Sequence, residues 1–372
     1  MKRILIIGAA YPYRGGLAAF NERLAFELIQ MGHEVQLITF TVQYPRILFP
    51  GKSQFSDDPA PDLNITRWMH AFNPFNWFLV GRKIKAIKPD IIVCKFWLPA
   101  MAPCFGTILR MSKSNTTSLV SILDNVIPHE HRTGDRLFTK YFLSIIDRFI
   151  YMSHQVGEEL KLFNQHKPAI FIPHPIYDNY GQRVSREIAL TQLKLSDHFR
   201  YVLFFGFIRE YKGLDLLYHS IHTLGNDLQN IKFIIAGEYY TDARPYESLV
   251  QDLNISDRLI LRTNFISNNE VKYYFSAADI IVQPYKSATQ SGIAQIAIHF
   301  SKPAIVTKVG GLHEIVYNGK TGYVVNPDAN EIAQALRTFY SIPNFQEMEI
   351  EVSGEKEKYN WSHMAKGVLN EI

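Results

Sequence analysis

The stretch Tyr201-Val202-Leu203-Phe204-Phe205-Gly206-Phe207-Ile208-Arg209-Glu210-Tyr211-Lys212-Gly213-Leu214-Asp215 decides how the chain is read. Its first residues form a short apolar run ended by a glycine, which predicts a strand buried on both faces. A loop with two cations follows, and Asp215–Leu224 resumes at helical spacing. Strand, loop and helix in that order are the repeating unit of a parallel sheet covered by helices. The pattern extends downstream, where Ile231–Ile235, Leu259–Leu261, Ile280–Val282 and Ala304–Thr307 predict strands and Glu270–Ala277 a helix. It also extends upstream, through Ile4–Ile7, Glu34–Thr39, Ile91–Cys94, Ser118–Leu123 and Phe149–Met152. A helix from Leu17 to Met31 turns Phe20, Leu24 and Leu28 to one face and stops at Gly32. Between the two series, Ile172-Pro173-His174-Pro175-Ile176-Tyr177 places two prolines in an extended stretch, expected to be a hinge strand. The expected domains are therefore 1–175 and 176–350, with 351–372 as a closing segment. In open sheets of this kind, ligands bind beyond the C-terminal ends of the strands.

Composition narrows the class. Hydrophobic residues make up 47% and charged residues 20%, a globular balance that excludes disorder. Two cysteines, Cys94 and Cys104, are too few for a disulfide framework, so a reduced, cytoplasmic protein is expected. The apolar start, Ile4–Ile7, runs directly into Tyr11-Pro12-Tyr13-Arg14 and reads as a first strand rather than a signal peptide. No apolar run is long enough to span a bilayer. Charge is uneven, with a net +6 up to residue 180 and −2 beyond it. A basic first half suits an anionic acceptor or a membrane surface, and no basic-aromatic motif points to nucleic acid.

Four loops carry candidate chemistry. Arg209 and Lys212 stand three apart before a helix start, a cradle for a diphosphate; a solvated loop is the alternative. In the second, Gln283-Pro284-Tyr285 leads to Thr289-Gln290-Ser291-Gly292-Ile293, where amides at a helix start could hold phosphate oxygens; an ordinary cap by Ser291 is the alternative. Gly15-Gly16 follows the first strand and permits close backbone approach, but G-x-G-x-x-G is absent, which counts against a dinucleotide-dependent dehydrogenase. Asp124-Asn125-Val126-Ile127-Pro128-His129-Glu130-His131 offers His129 to a substrate hydroxyl; a metal held by His129, His131 and Asp124 would lack the rest of its shell. There is no Asp-x-Asp in the chain, so a bound diphosphate must be neutralised by Arg, Lys and helix dipoles.

Taken together, these residues resemble family 4 glycosyltransferases of the GT-B fold over nearly the whole chain. Gly15-Gly16, Pro128-His129, Ile172–Pro175, Gly206 with Arg209 and Lys212-Gly213, and Ala278-Asp279 carry the likeness. It continues through Ser291-Gly292, Lys302-Pro303, Val309-Gly310-Gly311-Leu312-His313-Glu314 and Asn318-Gly319-Lys320-Thr321-Gly322-Tyr323. The resemblance implies an α/β protein of two Rossmann-like, doubly wound parallel-sheet domains facing each other across a cleft. A closing helix from Trp361-Ser362 would cross back to the first domain. It implies a retaining transfer of a sugar from a nucleotide-diphosphate donor in the second domain to an acceptor in the first, without metal or other cofactor. By matching positions, Arg209, Lys212 and His129 would be catalytic. Gly15, Gly16, Gly206, Glu238, Phe265, Ile266, Thr289, Gln290, Ser291, Gly292 and Ile293 would line the donor site. The chain departs from the family at its paired glutamates: aligned on Gly292, Thr289 and Ala297 occupy those places. Where many members carry a histidine before Asn125, this chain has Asp124.

The expected partners are the nucleotide-sugar and a glycan or lipid-linked acceptor. A hydrolase or epimerase on the same frame, or a binding scaffold without activity, are the rival readings. The segment Asn76–Lys88 mixes aromatic residues with Arg82, Lys83, Lys85 and Lys88. It would either rest peripherally on anionic lipid at the inner face of the membrane, or pack Phe78, Leu79, Ile84 and Ile87 inward beneath a solvated basic face.

Overall fold

The computed structural model describes residues 1–44, 53–56, 59–127, 133–163, 166–288 and 291–372. Two compact units emerge: Met1–Pro175 with Tyr359–Ile372, and Ile176–Lys358.

In the first unit the order is β1 (Arg3–Ile7), α1 (Gly16–Gln30), β2 (Glu34–Val42), β3 (Ile65–His70), α2 (Pro74–Ile87), β4 (Ile91–Phe96) and α3 (Ala102–Ser112). Then come β5 (Ser118–Leu123), α4 (Asp135–Ile145), β6 (Arg148–Tyr151), α5 (His154–Lys161) and β7 (Ala169–Phe171). The strands form one parallel sheet in the order β3-β2-β1-β4-β5-β6-β7. Alternation along β4 separates two packing faces. Ile92, Cys94 and Phe96 join Val80, Ile84, Phe105 and Phe142 in a core under α2, α3 and α4. Lys95, between Cys94 and Phe96, faces the other way.

The second unit runs α6 (Arg186–Leu193), β8 (Arg200–Phe205), α7 (Leu214–Leu224), β9 (Ile231–Ala236), α8 (Arg244–Asp252), β10 (Leu259–Arg262) and α9 (Asn268–Ala277). It continues with β11 (Ile280–Gln283), α10 (Gly292–His299), β12 (Ala304–Thr307), β13 (Gly322–Val325), α11 (Ala329–Ser341) and α12 (Gln346–Gly354). Its parallel sheet has the order β10-β9-β8-β11-β12-β13, with Val202, Phe204, Phe233, Ile235, Val282 and Ile305 in the core against α7 and α11.

Every expected strand before and after the linker is present, and three unexpected ones, β3, β7 and β13, lie at sheet edges. The expected hinge strand at Ile172–Tyr177 is not a strand; pairing ends at Phe171, because Pro173 and Pro175 have no amide to donate to a ladder. Helix α12 belongs to the second unit, so the chain rejoins the first at Tyr359 rather than at 351, and α13 (Trp361–Leu369) packs on α1. There Trp361 lies 5.0 Å from Phe20, ring centre to ring centre.

Candidate functional site

In the second sheet the chain leaves β8 toward β9 on one side and reaches β11 on the other. The loops after β8 and β11 therefore border the topological switch point, where a doubly wound sheet opens a crevice. Both predicted loops stand there. After β8 the chain passes Gly206 and makes a single 3-10 turn, Glu210–Lys212, capped by Gly213. Arg209 precedes the turn in extended backbone and Lys212 closes it, and the charge of Arg209 acts on the Lys212 ammonium.

The two loops are bolted together. The Lys286 amide donates to the Tyr211 carbonyl at 2.7 Å. The Lys286 ammonium pairs with Asp215 at 2.7 Å, and Tyr211 meets the Tyr285 ring edge-on at 6.1 Å. Gly213 has φ +66, and a Cβ there would stand 1.9 Å from the Pro284 carbonyl oxygen, so this crossing admits only glycine. Gly206, at φ +105, is open for another reason: a Cβ would come 3.0 Å from the Lys212 ammonium and 3.2 Å from Ile293.

Lys212 is buried, 8% exposed, with its ammonium 5.2 Å from the centre of the Tyr285 ring. Among the described residues, no carboxylate lies within ion-pair distance of it. Burial pulls its pKa below the ordinary lysine range; Tyr211 opposes the fall and Arg209 adds to it. Arg209 is exposed, its guanidinium 5.2 Å from the Tyr240 ring, which in turn stacks on Phe207 at 4.2 Å.

Ser291 occupies the cap position of α10, but its hydroxyl caps nothing; it lies 3.3 Å from the Tyr285 hydroxyl. The alternative reading of Ser291, an ordinary cap, is therefore not the one the hydroxyl adopts. Gly292 and Ile293 open the helix, half-buried. Glu238 is buried just beyond β9, where its carbonyl accepts from the Ile208 amide at 2.9 Å. Phe265 and Ile266 lie half-buried in the loop after β10, the edge strand two places from β8. Thr289, Gln290, His129 and His131 fall outside the described residues. Ala297, where the family carries an acid, is buried within α10.

Two residues not anticipated are Gln283 and Gln295, at the end of β11 and inside α10. They are 1% and 2% exposed, and both Gln283 amide atoms and the Gln295 oxygen have no hydrogen-bond partner among the described residues. Buried, unsatisfied amides are costly and rare. An apolar helix face hides such residues from a sequence reading.

The first unit has its own cluster at the C-terminal edge. Gly15 and Gly16 open α1. Lys95, 2% exposed, pairs with Asp124 at 2.6 Å, and its ammonium stands 3.6 Å from the centre of the Phe20 ring. Burial lowers the Lys95 pKa and raises that of Asp124, each partner resisting the shift of the other. His174 lies 5.2 Å from Phe20; burial, with Lys95 nearby, depresses its pKa to about 3. Glu22 accepts from the Tyr11 amide at 2.7 Å, and burial lifts its carboxyl to about 7. Among the described residues, no group of three His, Cys, Asp or Glu could hold a metal ion. No helix among them is long and apolar enough to cross a membrane.

Comparison with known proteins agrees with this frame. Residues 14–179 match glycosyltransferase family 4, and residues 185–353 match the glycosyl transferases group 1. An uncharacterized glycosyltransferase of Methanocaldococcus jannaschii is 24% identical over 397 aligned residues, covering 99% of this chain and 97% of its own. TuaC of Bacillus subtilis, named for teichuronic acid biosynthesis, is 23% identical over 365 residues, covering 91% of this chain and 89% of its own. Anabaena HepE, solved in complex with UDP-glucose, superposes with a TM-score of 0.74 at 13% identity, over 100% of this chain and 99% of HepE. That likeness is one of fold, the GT-B fold. With both units matched in order along the chain, this protein belongs to the group 1, family 4 glycosyltransferases.

Proposed function

We propose that the chain transfers a sugar, with retention of anomeric configuration and without a metal, from a nucleoside diphosphate donor to a hydroxyl of a glycan or lipid-linked saccharide. The observation that carries this reading is the buried, carboxylate-free ammonium of Lys212 at the switch point. A buried cation is costly unless an anion meets it, and a diphosphate is an anion of the right charge for Lys212 and Arg209 together. Gly206 sets no side chain against the ammonium, and the amides of Ser291, Gly292 and Ile293 add the positive end of a helix. In this reading Gln283 and Gln295 offer neutral hydrogen bonds to the donor in a site where Thr289 and Ala297 replace the family's acids. Glu238, Phe265, Ile266, Thr289 and Gln290 complete the proposed donor site. Gly15, Gly16 and His129 are the first unit's candidate residues for the transfer. HepE's complex makes a UDP-sugar the first donor to try, and TuaC's name, from teichuronic acid biosynthesis, favours a saccharide acceptor.

The chemistry follows from that placement. The donor's C1–O bond breaks and its electron pair leaves with the diphosphate. The acceptor hydroxyl attacks from the same face, and its proton passes to the departing phosphate oxygen. Charge grows on the diphosphate as the bond breaks, so Arg209 and Lys212 bind the transition state better than the ground state. Fixed donors of this kind are worth about 3–4 kcal/mol, so Arg209→Ala should slow turnover by about two to three orders of magnitude. The test is transfer to a saccharide acceptor panel, with chelator present throughout. A loss under tenfold would overturn the role of Arg209. Release of free sugar without acceptor would favour a hydrolase, and dependence on added metal would remove the metal-free claim.

A further inference from the structure

Helix α2 packs one narrow face and leaves the opposite one to solvent. Val80, Gly81 and Ile84 are the buried residues of the helix. Phe78 and Leu79, which the packed reading would place inside, are 48% and 59% exposed, and Phe75 is 84% exposed. Phe75, Phe78, Leu79 and Arg82 stand at i, i+3, i+4 and i+7, so they form one outward stripe opposite the buried one. Its first turns are apolar, and its later turns carry exposed Arg82, Lys83 and Lys85.

The same pattern recurs two helices away. Helices α2, α3 and α4 lie side by side under one face of the sheet, α3 packing on both others. Helix α4 exposes Leu137 at 69% and Phe138 at 38% in its first turn, beside exposed Arg136 and Lys140. Each helix returns antiparallel to its strands, so both apolar first turns stand at the C-terminal edge of the sheet, the edge of Gly15, Gly16 and Asp124. Across the three helices there are six arginines and lysines against one carboxylate, Asp135. The bias belongs to these helices: α5, next in the chain, carries Glu158 and Glu159, and α1 carries Glu22 and Glu27.

We propose that the outer faces of α2 and α4 seat the first unit on an anionic membrane surface, apolar first turns inserted and cations against lipid phosphates. The charge selects the occupant. Exposed phenylalanines alone would suit a second copy of the chain, but a surface this one-sided in charge repels its own copy and fits an anionic bilayer. Such seating would place the candidate acceptor edge of the sheet at the lipid surface, where a lipid-linked saccharide is presented; that last step rests on the function proposed above, whereas the binding does not.

The experiment is flotation of the full chain with neutral phosphatidylcholine vesicles and with vesicles containing phosphatidylglycerol, with no nucleotide or acceptor present. The wild type should float with the anionic vesicles at low salt and be released at about 1 M salt, where charges are screened beyond roughly 3 Å. Arg82→Glu with Lys85→Glu should weaken partition by at least tenfold, since each cation near the surface is worth about fivefold. Phe75→Ser, Phe78→Ser and Leu79→Ser together should abolish it with melting temperature unchanged. The proposal is overturned if the wild type stays with the soluble fraction at low salt, or if these variants float as well as it does. It is equally overturned if light scattering shows a wild-type dimer that the triple serine variant dissolves. Because UDP binding is read separately, failure here leaves the donor site standing.

Discussion

Two buried lysines, one in each unit, sit near the C-terminal ends of their sheets, and they are treated in opposite ways. Lys95 is neutralised from within, by Asp124 at 2.6 Å and by the face of Phe20. Lys212 has an aromatic neighbour in Tyr285 but no carboxylate among the described residues. A cation given an internal counter-charge serves the fold. A cation left without one, beside a glycine that sets no side chain against it, would gain from an anion brought from outside.

The largest effect expected on stability lies in the first unit. Lys95→Met would strand the Asp124 carboxylate and should cost about 3–5 kcal/mol, as broken buried pairs do. Adding Asp124→Leu should restore most of that loss. Urea denaturation of the single and double variants reads both; no rescue by the double variant would mean that the pair is not the unit of stability.

Gly213→Ala forces a side chain into a left-handed conformation against the Pro284 carbonyl, and should cost about 1–3 kcal/mol in strain. The crossing of the two loops must then shift, so UDP affinity should fall with stability. A variant that is destabilised but binds UDP normally would show that the crossing does not shape the site.

Two titratable groups of the first unit, His174 and Glu22, act on stability with opposite sign. His174 takes up a proton at about 6.5 when unfolded but only near 3 when folded, so it removes stability as pH falls through that window. Glu22 has the opposite sign. Its folded carboxyl keeps a proton up to about 7 that the unfolded chain releases near 4.5, so it removes stability as pH rises. Between 4.5 and 6.5 the two slopes oppose each other. Glu22→Gln should unmask the histidine, with stability falling by about 1.4 kcal/mol per pH unit as pH is lowered through that range. An unchanged slope would show that these two groups do not set the profile.

The smallest effect should come from Lys286→Ala. Its pair with Asp215 is part-exposed, 38% and 33%, and should contribute about 1 kcal/mol or less. A larger loss would mean that this ion pair, rather than the Gly213 crossing, holds the loops together.

How much of this was legible in the sequence depended on how local the signal is. Central strands such as Tyr201–Phe205 are buried on both faces and read as unbroken apolar runs. Strands β3, β7 and β13 have a single neighbour each and are largely half-buried: Ile65–His70 mixes Thr66, Arg67 and His70 with apolar residues, and Ala169–Phe171 is only three residues long, so neither stands out as an apolar run. Arg209, Lys212, Gly206 and Ser291 could be found because each belongs to one contiguous βα loop. Lys95 and Asp124 could not be paired from sequence, since their meeting depends on the β4–β5 register that sets Phe96 opposite Leu123. Glu22 and His174 owe their shifted protonation to burial, which no motif encodes. Phe78 and Leu79 look like core residues on a list of hydrophobic positions; only the helix's packing shows that they face outward.

The central claim is tested most directly by urea denaturation of the wild type and Lys212→Met, each with and without UDP. The account predicts that Lys212→Met folds at least as stably as the wild type when no ligand is present, because an uncompensated buried charge has been removed. It also predicts that UDP at about 100 times its dissociation constant stabilises the wild type by about 2.7 kcal/mol and the variant far less. A variant that loses stability in the absence of UDP yet keeps the full UDP increment would contradict it, placing Lys212 in the fold and the diphosphate elsewhere.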